Sequence, residues 1–309
     1  MKQTTSTILM IEPTGFGYNP EAAPTNSFQK ESRDFTPSQV QDIAVLEFRN
    51  AVAELSKLGV EVITIRDPEN SGTPDSVFPN NWFSTHSDGH LVTYPMASPS
   101  RRKERRLEVI EQIKQVCGCG ERVTLEFFEE QEEPVFLEGT GSMVLDRVNK
   151  IAYAAVSPRT SLVALQHFCD KLGYKAHTFE AYGAAGELIY HTNVMMCIGD
   201  TYAIVALDTV AEQDREKLYA SLSESGKEII EISKEQTYQH FAGNMLQIEN
   251  QQGERILVMS KAAYKSLTPE QLERMQAHNE HILYLPIHVI EQAGGGSMRC
   301  MIAELFRKQ

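Results

Sequence analysis

Residues 142–179 read SMVLDRVNKIAYAAVSPRTSLVALQHFCDKLGYKAHTF. Two apolar runs, 142–145 and 151–156, flank the polar turn Val148-Asn149-Lys150, which is the pattern of a β-hairpin. Residues 162–172 then carry a helical apolar pattern, and 176–179 form a short strand-like run. The same order recurs along the chain. Runs 77–83 and 91–94 flank Ser87-Asp88-Gly89, before an expected basic helix over 101–116 and a strand over 123–128. Runs 194–198 and 202–207 flank Gly199-Asp200, before a helix over 212–223 and a strand over 228–232. Runs 245–249 and 255–259 flank Gln252-Gly253, before a helix opened by the capping box Thr268-Pro269-Glu270-Gln271 and a strand over 282–286. The spacing is roughly 50–65 residues, and self-similarity on that scale is a fold-level signal.

A fifth copy is split between the two chain ends. Residues 8–11 supply one hairpin strand, and the apolar residues after Cys300 supply its partner. Its helix opens at the capping box Thr36-Pro37-Ser38-Gln39 and puts Val40, Ala44, Phe48, Val52 and Leu55 on one face. Its last strand is 60–65. Pairing the chain ends closes a ring and hides its sheet edges. The expected fold is therefore α/β: one domain, 1–309, of five ββαβ units in a propeller around a central channel. Two open α/β layers satisfy the same periodicity.

The 309 residues carry a formal net charge of −13, which disfavours nucleic acid and anionic membrane as partners. Five cysteines, Cys117, Cys119, Cys169, Cys197 and Cys300, are an odd number in a long chain, so no disulfide framework is expected. No paired Cys/His spacing suggests a metal, and no cofactor is expected. Met1-Lys2-Gln3-Thr4-Thr5 lacks the apolar core of a signal peptide, and no apolar run is long enough to span a bilayer. A cytoplasmic protein is expected, with homo-oligomerisation left open. The polar loop 14–35 is long enough to suggest a functional role.

Equivalent loops of the five units meet at one end of such a channel, and the polar residues of interest fall there. Asp75 and Asn81 precede one hairpin, Glu138-Gly139-Thr140-Gly141 another, and His191-Thr192-Asn193 a third. Gly294-Gly295-Gly296-Ser297-Met298-Arg299-Cys300 precedes the last strand, placing a thiol at the mouth of a flexible glycine turn. Arg159 stands before the helix at 162–172. Cys300, His191 and Glu138 supply a nucleophile, a proton carrier and an orienting carboxylate.

These residues resemble the guanidino-group modifying superfamily, the penteins. Asp75-Ser76-Val77-Phe78 is similar to its early substrate loop, Leu137-Glu138-Gly139 to its acidic-Gly segment, and Ser157-Pro158-Arg159-Thr160 to its S-x-R-T segment. The resemblance implies Cys300 as nucleophile, His191 and Glu138 as its catalytic partners, Arg159 on the substrate carboxylate and Asp75 on the α-amine. Arginine-using members carry Asp where this chain has Asn81 and Asn193. A guanidinium offers only donors and wants carboxylates, whereas an asparagine amide can serve a neutral ureido group. With Asn80-Asn81-Trp82-Phe83-Ser84-Thr85-His86, Gly15-Phe16-Gly17-Tyr18-Asn19 and Phe136-Leu137-Glu138-Gly139-Thr140-Gly141, the chain resembles the citrulline-utilisation, amidinotransferase-like branch. Glu12 departs from that branch, which favours Arg before the first proline. The implied reaction is hydrolysis of L-citrulline to ornithine, CO₂ and ammonia through a Cys300 carbamoyl thioester, with Glu138 favouring protonated His191. The alternatives are a deiminase, dimethylarginine hydrolase or amidinotransferase acting on a guanidine, and a non-catalytic pentein that binds a small amino acid.

Overall fold

Fifteen short strands form five three-stranded sheets in a computed structural model that describes residues 2–308. β1 (Thr7–Glu12) lies between β15 (Ala303–Glu304) and β2 (Glu61–Arg66). The other sheets follow chain order: β3 (Phe83–Thr85), β4 (His90–Thr93) and β5 (Glu121–Thr124); β6 (Val144–Asp146), β7 (Ile151–Ala155) and β8 (Lys175–Phe179). Then come β9 (Met196–Ile198), β10 (Tyr202–Val205) and β11 (Glu228–Glu231), and finally β12 (Leu246–Glu249), β13 (Arg255–Ser260) and β14 (His281–Leu285). In each sheet the inner pair is antiparallel and the outer pair parallel. A hairpin makes the first kind of pair; the second needs a helical crossover. That is why every unit reads strand, strand, helix, strand.

Burial orders each sheet from the axis outward. β3, β6 and β9 are buried throughout, whereas the outer strands β2, β5, β8, β11 and β14 are partly exposed. Apolar clusters join each sheet to the next. Leu9 and Ile11 pack with Phe83 and Leu91, Val92 with Leu145 and Ala152, and Val144 and Tyr153 with Met196 and Ile204. Val205 packs with Leu257, and Ile248 and Val258 pack with Ile8 and Met10, which closes the ring. The two chain ends meet through β1 and β15 in the register Ile8–Glu304 and Leu9–Ala303.

The first long helix, Pro37–Lys57, carries the expected cap: Gln39 N–H donates to Thr36 Oγ1 at 3.3 Å and Thr36 N–H to Gln39 Oε1 at 2.9 Å. Elsewhere several boundaries differ from the periodic reading. Within 77–83 only Phe83 is strand, the first residue of β3; Pro79–Asn81 is a tight helical turn, started by a proline whose φ is fixed and which lacks an N–H. The expected helix 101–116 is broken into Pro99–Arg102 and Leu107–Cys117, because Arg101 and Glu104 turn inward and pair in the interior. Residues 123–128 divide between the end of β5 and a turn at Glu126–Glu130, which sends Glu129 inward to accept from Met96 N–H at 2.8 Å. Helices at Lys234–His240, Lys261–Ser266 and His288–Gly294 were not expected. Glu12 pairs with Arg49 at 2.6 Å.

Candidate active site

Each inner strand is preceded by a tight turn, and the turns bring the polar residues to one place. Pro79–Asn81 delivers Asn81, Gly139–Ser142 stands just after Glu138, and Thr192–Val194 carries Asn193 just after His191. Cys300 lies in the turn from Ser297, whose carbonyl accepts Cys300 N–H at 2.9 Å. The glycines before it are not a flexible mouth. Gly294 ends the helix His288–Gly294, Gly295 caps it in the left-handed region at φ 64°, and the trio is buried. A Cβ on Gly294 would fall 2.7 Å from the Phe78 ring, so glycine there serves close packing.

Glu138 is fully buried and its Oε2 lies 2.8 Å from His191 Nε2 and 3.4 Å from Arg159 Nη1. Its Oε1 accepts Ala97 N–H at 3.0 Å. Burial pushes this carboxyl up, but Arg159 and His191 outweigh it and hold Glu138 below the ordinary carboxylate range. An ionised carboxylate can only accept, so the imidazole proton sits on Nε2 and Nδ1 keeps its lone pair. Burial also acts on His191 and lowers it to about 4, despite the support of Glu138. Glu138 does favour the protonated form, as expected, but burial outweighs it and the resting imidazole is neutral at neutral pH. Gly141 keeps room beside Nδ1, since a methyl there would fall 2.7 Å from it.

Two amides face the thiol. Asn244 Nδ2 lies 3.3 Å from Cys300 Sγ and 2.9 Å from the Asn193 carbonyl, and its Oδ1 accepts Arg299 N–H at 3.1 Å. Asn193 Nδ2 lies 3.6 Å from Sγ. Asn244 precedes β12 just as Asn193 precedes β9, so the repeat itself carried a signal for it that the sequence reading passed over. Asn193 also borders a cavity of about 30 Å³ between the inner strands, with Gln3, Arg147, Arg299 and Glu304, rather than the cavity that Asn81 lines.

Asn81 Oδ1 accepts from Arg101 Nη1 at 2.6 Å. Its Nδ2 is buried and has no hydrogen-bond partner among the described residues. Arg101 is a second residue the sequence reading missed, having been assigned only to a basic helix. Asp75 accepts from Asn19 Nδ2 at 2.7 Å and from Gln29 Nε2 at 3.5 Å; burial raises its carboxyl against the pull of Arg101. Arg159 donates to the Ala22 carbonyl at 2.7 Å and to Thr25 Oγ1 at 2.9 and 2.6 Å. Loop 14–35 is thus folded over the site. The cavity among Asp75, Asn81, Arg159, His191 and Cys300 holds about 10 Å³, room for about one water. With the loop in this place the cavity has no room for a molecule the size of an amino acid.

Among the described residues there is no cluster of three or more His, Cys, Asp or Glu that could hold a metal, and no helix is long and apolar enough to cross a membrane. Five three-stranded sheets closed by the chain ends form the pentein fold, and the family model that the chain matches places it in the guanidino-group modifying superfamily. The family model described as N,N dimethylarginine dimethylhydrolase, eukaryotic, matches residues 12–307, and the chain belongs to that family of guanidino-group hydrolases.

Solved structures agree in fold. The N-terminal domain of ArgZ covalently bound to a reaction intermediate superposes with a TM-score of 0.75 at 14% identity, covering 98% of each chain. The same domain bound to substrate, an arginine dihydrolase from the ornithine-ammonia cycle in Cyanobacteria, gives 0.74 at 14% identity, again with 98% of each chain covered. A dimethylarginine dimethylaminohydrolase adduct with S-methyl-L-thiocitrulline gives 0.64 at 16% identity, covering 98% of this chain and 100% of that one. No curated protein sequence matches.

Proposed function

We propose that the protein hydrolyses the ureido group of L-citrulline to ornithine, carbon dioxide and ammonia. The observation that carries this reading is the Asn81 amide. Its oxygen is occupied by Arg101 and its nitrogen is a buried donor without a partner. A buried donor is costly until it meets an acceptor. A ureido oxygen is an acceptor; a guanidinium has none.

In this reading the neutral ureido group brings no proton of its own, so the chemistry starts with His191. Nδ1 takes the thiol proton of Cys300, and Glu138 steadies the imidazolium that forms. The thiolate adds to the ureido carbon, with Asn81 donating to its oxygen and the Asn193 and Asn244 amides beside the sulfur. The imidazolium returns its proton to the departing δ-nitrogen, and ornithine leaves. Water, deprotonated by His191, then adds to the carbamoyl thioester. Cys300 leaves as the thiol, and carbamic acid falls apart to carbon dioxide and ammonia. Arg159 binds the substrate carboxylate by exchanging it for Thr25 and the Ala22 carbonyl, and Asp75 takes the α-amine. The whole chain acts as one domain in this scheme.

A guanidino substrate is the second reading, favoured by the family description and by Asn193 Oδ1, a buried acceptor with no partner among the described residues. Incubating the protein with citrulline, arginine and dimethylarginine separately distinguishes the two. Ornithine and ammonia from citrulline alone are expected. Citrulline formed from either guanidine, with no ornithine formed from citrulline, overturns the proposal.

A further inference from the structure

Glu291 is a buried carboxyl that no step above uses. It lies on the helix His288–Gly294, just upstream of the turn that carries Cys300. It holds that turn at two points. Its backbone carbonyl accepts Gly295 N–H at 2.9 Å, and its Oε1 accepts from Ser297 Oγ at 2.6 Å. The Ser297 carbonyl in turn accepts Cys300 N–H at 2.9 Å and Met301 N–H at 3.3 Å. Ser297 is fully buried, so its hydroxyl depends on this one acceptor.

The surroundings of Glu291 suit an acid and not its anion. From the first long helix, Glu47 turns its own carboxyl toward the start of the same helix, where Oε1 accepts Val289 N–H and Oε2 accepts Ile290 N–H, each at 3.0 Å. That like charge opposes ionisation of Glu291. From the end of β13 comes Ser260, whose Oγ accepts Ala263 N–H at 3.1 Å and offers its hydroxyl proton to Glu291. Among the described residues no cation pairs with Glu291. Burial therefore dominates and lifts this carboxyl to about 7, against the two serine hydroxyls. A glutamine would fill the same space and accept from Ser297 without that cost, so the acid itself calls for a role.

We propose that Glu291 is a positioning residue for Cys300 that works only with its proton on: the neutral carboxyl holds Ser297, Ser297 holds the thiol-bearing turn, and loss of the proton lets that turn go. The coupling follows from linkage. A closed structure that resists ionisation binds the proton more tightly than an open, hydrated one, so rising pH shifts the population toward the open turn. This rests on the reading that Cys300 carries the reaction, whichever amino acid is its substrate.

The full chain is tested with whichever of citrulline, arginine or dimethylarginine it turns over. Its kcat/KM is expected to fall about tenfold between pH 6 and pH 8, as a group near 7 gives up its proton. In Glu291→Gln that fall should disappear. The urea midpoint of Glu291→Gln should also drop less between pH 5 and pH 8 than that of the unsubstituted protein. A raised carboxyl loses folding stability as pH climbs from its unfolded value to its folded one, and a glutamine has no proton to lose. Ser297→Ala should abolish the fall in kcat/KM as well, yet keep the pH-dependent stability. A fall of full size in either variant overturns the proposal, and so does a flat profile from pH 6 to pH 8 in the unsubstituted protein. Should Glu291→Gln fail to fold, or no substrate be turned over, amide exchange in the unsubstituted protein decides. Protection across 297–301, corrected for the intrinsic rise of exchange with pH, should fall about tenfold from pH 6 to pH 8. Equal protection at the two pH values overturns Glu291 as the holder of the turn. No turnover with that fall present counts against Cys300 as the nucleophile and leaves Glu291 in place.

Discussion

His191 is pulled in two directions, and the balance sets its working range. Burial lowers its pKa first, the Glu138 hydrogen bond and charge raise it, and Arg159 lowers it again, leaving about 4. Because the folded value lies below the usual one near 6.5, the imidazole stays a neutral base through the whole interval between them. The expected pH profile of kcat/KM is therefore flat from neutrality down to about pH 5 and falls through about 4 as His191 gains its proton. Replacing Glu138 by Gln removes the influences that raise His191, so the acid limb should move lower while the rate falls by about 10²-fold. A limb near 6.5 in the unsubstituted protein contradicts this account. Most of these residues were legible in the chain. Cys300, His191, Glu138, Asn81, Asn193 and Asp75 fall at the starts of repeats and Arg159 just before a helix of one, and position in a repeat can be read without coordinates. The protonation of His191 could not be read, because it depends on how much water the finished fold removes.

The loop 14–35 is an element with no regular structure of its own beyond the turn Ala23–Thr25, and side-chain hydrogen bonds hold it. Thr25 and the Ala22 carbonyl engage Arg159, Asn19 and Gln29 engage Asp75, and Asn26 Nδ2 donates to the Gly295 carbonyl at 3.3 Å. Arg159 and Asp75, to which the proposed function gives the substrate's carboxylate and amine, are thus already occupied by the loop's own polar groups. Thr25→Ala removes two contacts to Arg159. Hydrogen bonds to charged groups contribute about 1.5–3 kcal/mol each, so amide exchange across 19–30 should quicken by about tenfold or more. Unchanged exchange there would refute the latch. Loop length and polarity marked this stretch as functional, but its partners lie far along the chain. The break at 103–106 was hidden for a similar reason. The run 101–116 read as one basic helix, and only the position of Glu129, Glu104 and the Met96 carbonyl turns its arginines inward.

At the scale of the whole molecule, ring closure rests on a strand of two residues. β15 is anchored by more than its register with β1. Thr85 Oγ1 donates to the Glu304 carbonyl at 2.9 Å and accepts Phe306 N–H at 2.8 Å, and Thr5 Oγ1 donates to the Leu305 carbonyl at 2.8 Å. Thr85→Val keeps the shape but leaves a buried N–H and C=O unpaired. The expected loss is about 2–4 kcal/mol, read as a lower midpoint in urea unfolding. A cost under about 0.5 kcal/mol would mean that the seam is held by apolar packing alone. Cys300 lies three residues before β15, so the same closure that hides the sheet edge also fixes the position of its thiol.

Taken by itself, the chain determined its architecture and the place of the candidate residues within it. Strand, strand, helix, strand follows from apolar periodicity, because hairpins and crossovers each demand their own spacing. The chemical types at the head of each unit follow from the same repeat. Only the tertiary structure decided how those groups are set: His191 neutral, the glycine turn packed rather than loose, Arg159 latched to a loop, and the Asn81 amide turned by an arginine twenty residues away. Periodicity reports which side chains are removed from water. Proton positions and amide orientations depend on which polar partners are removed with them, and those come from every unit of the ring.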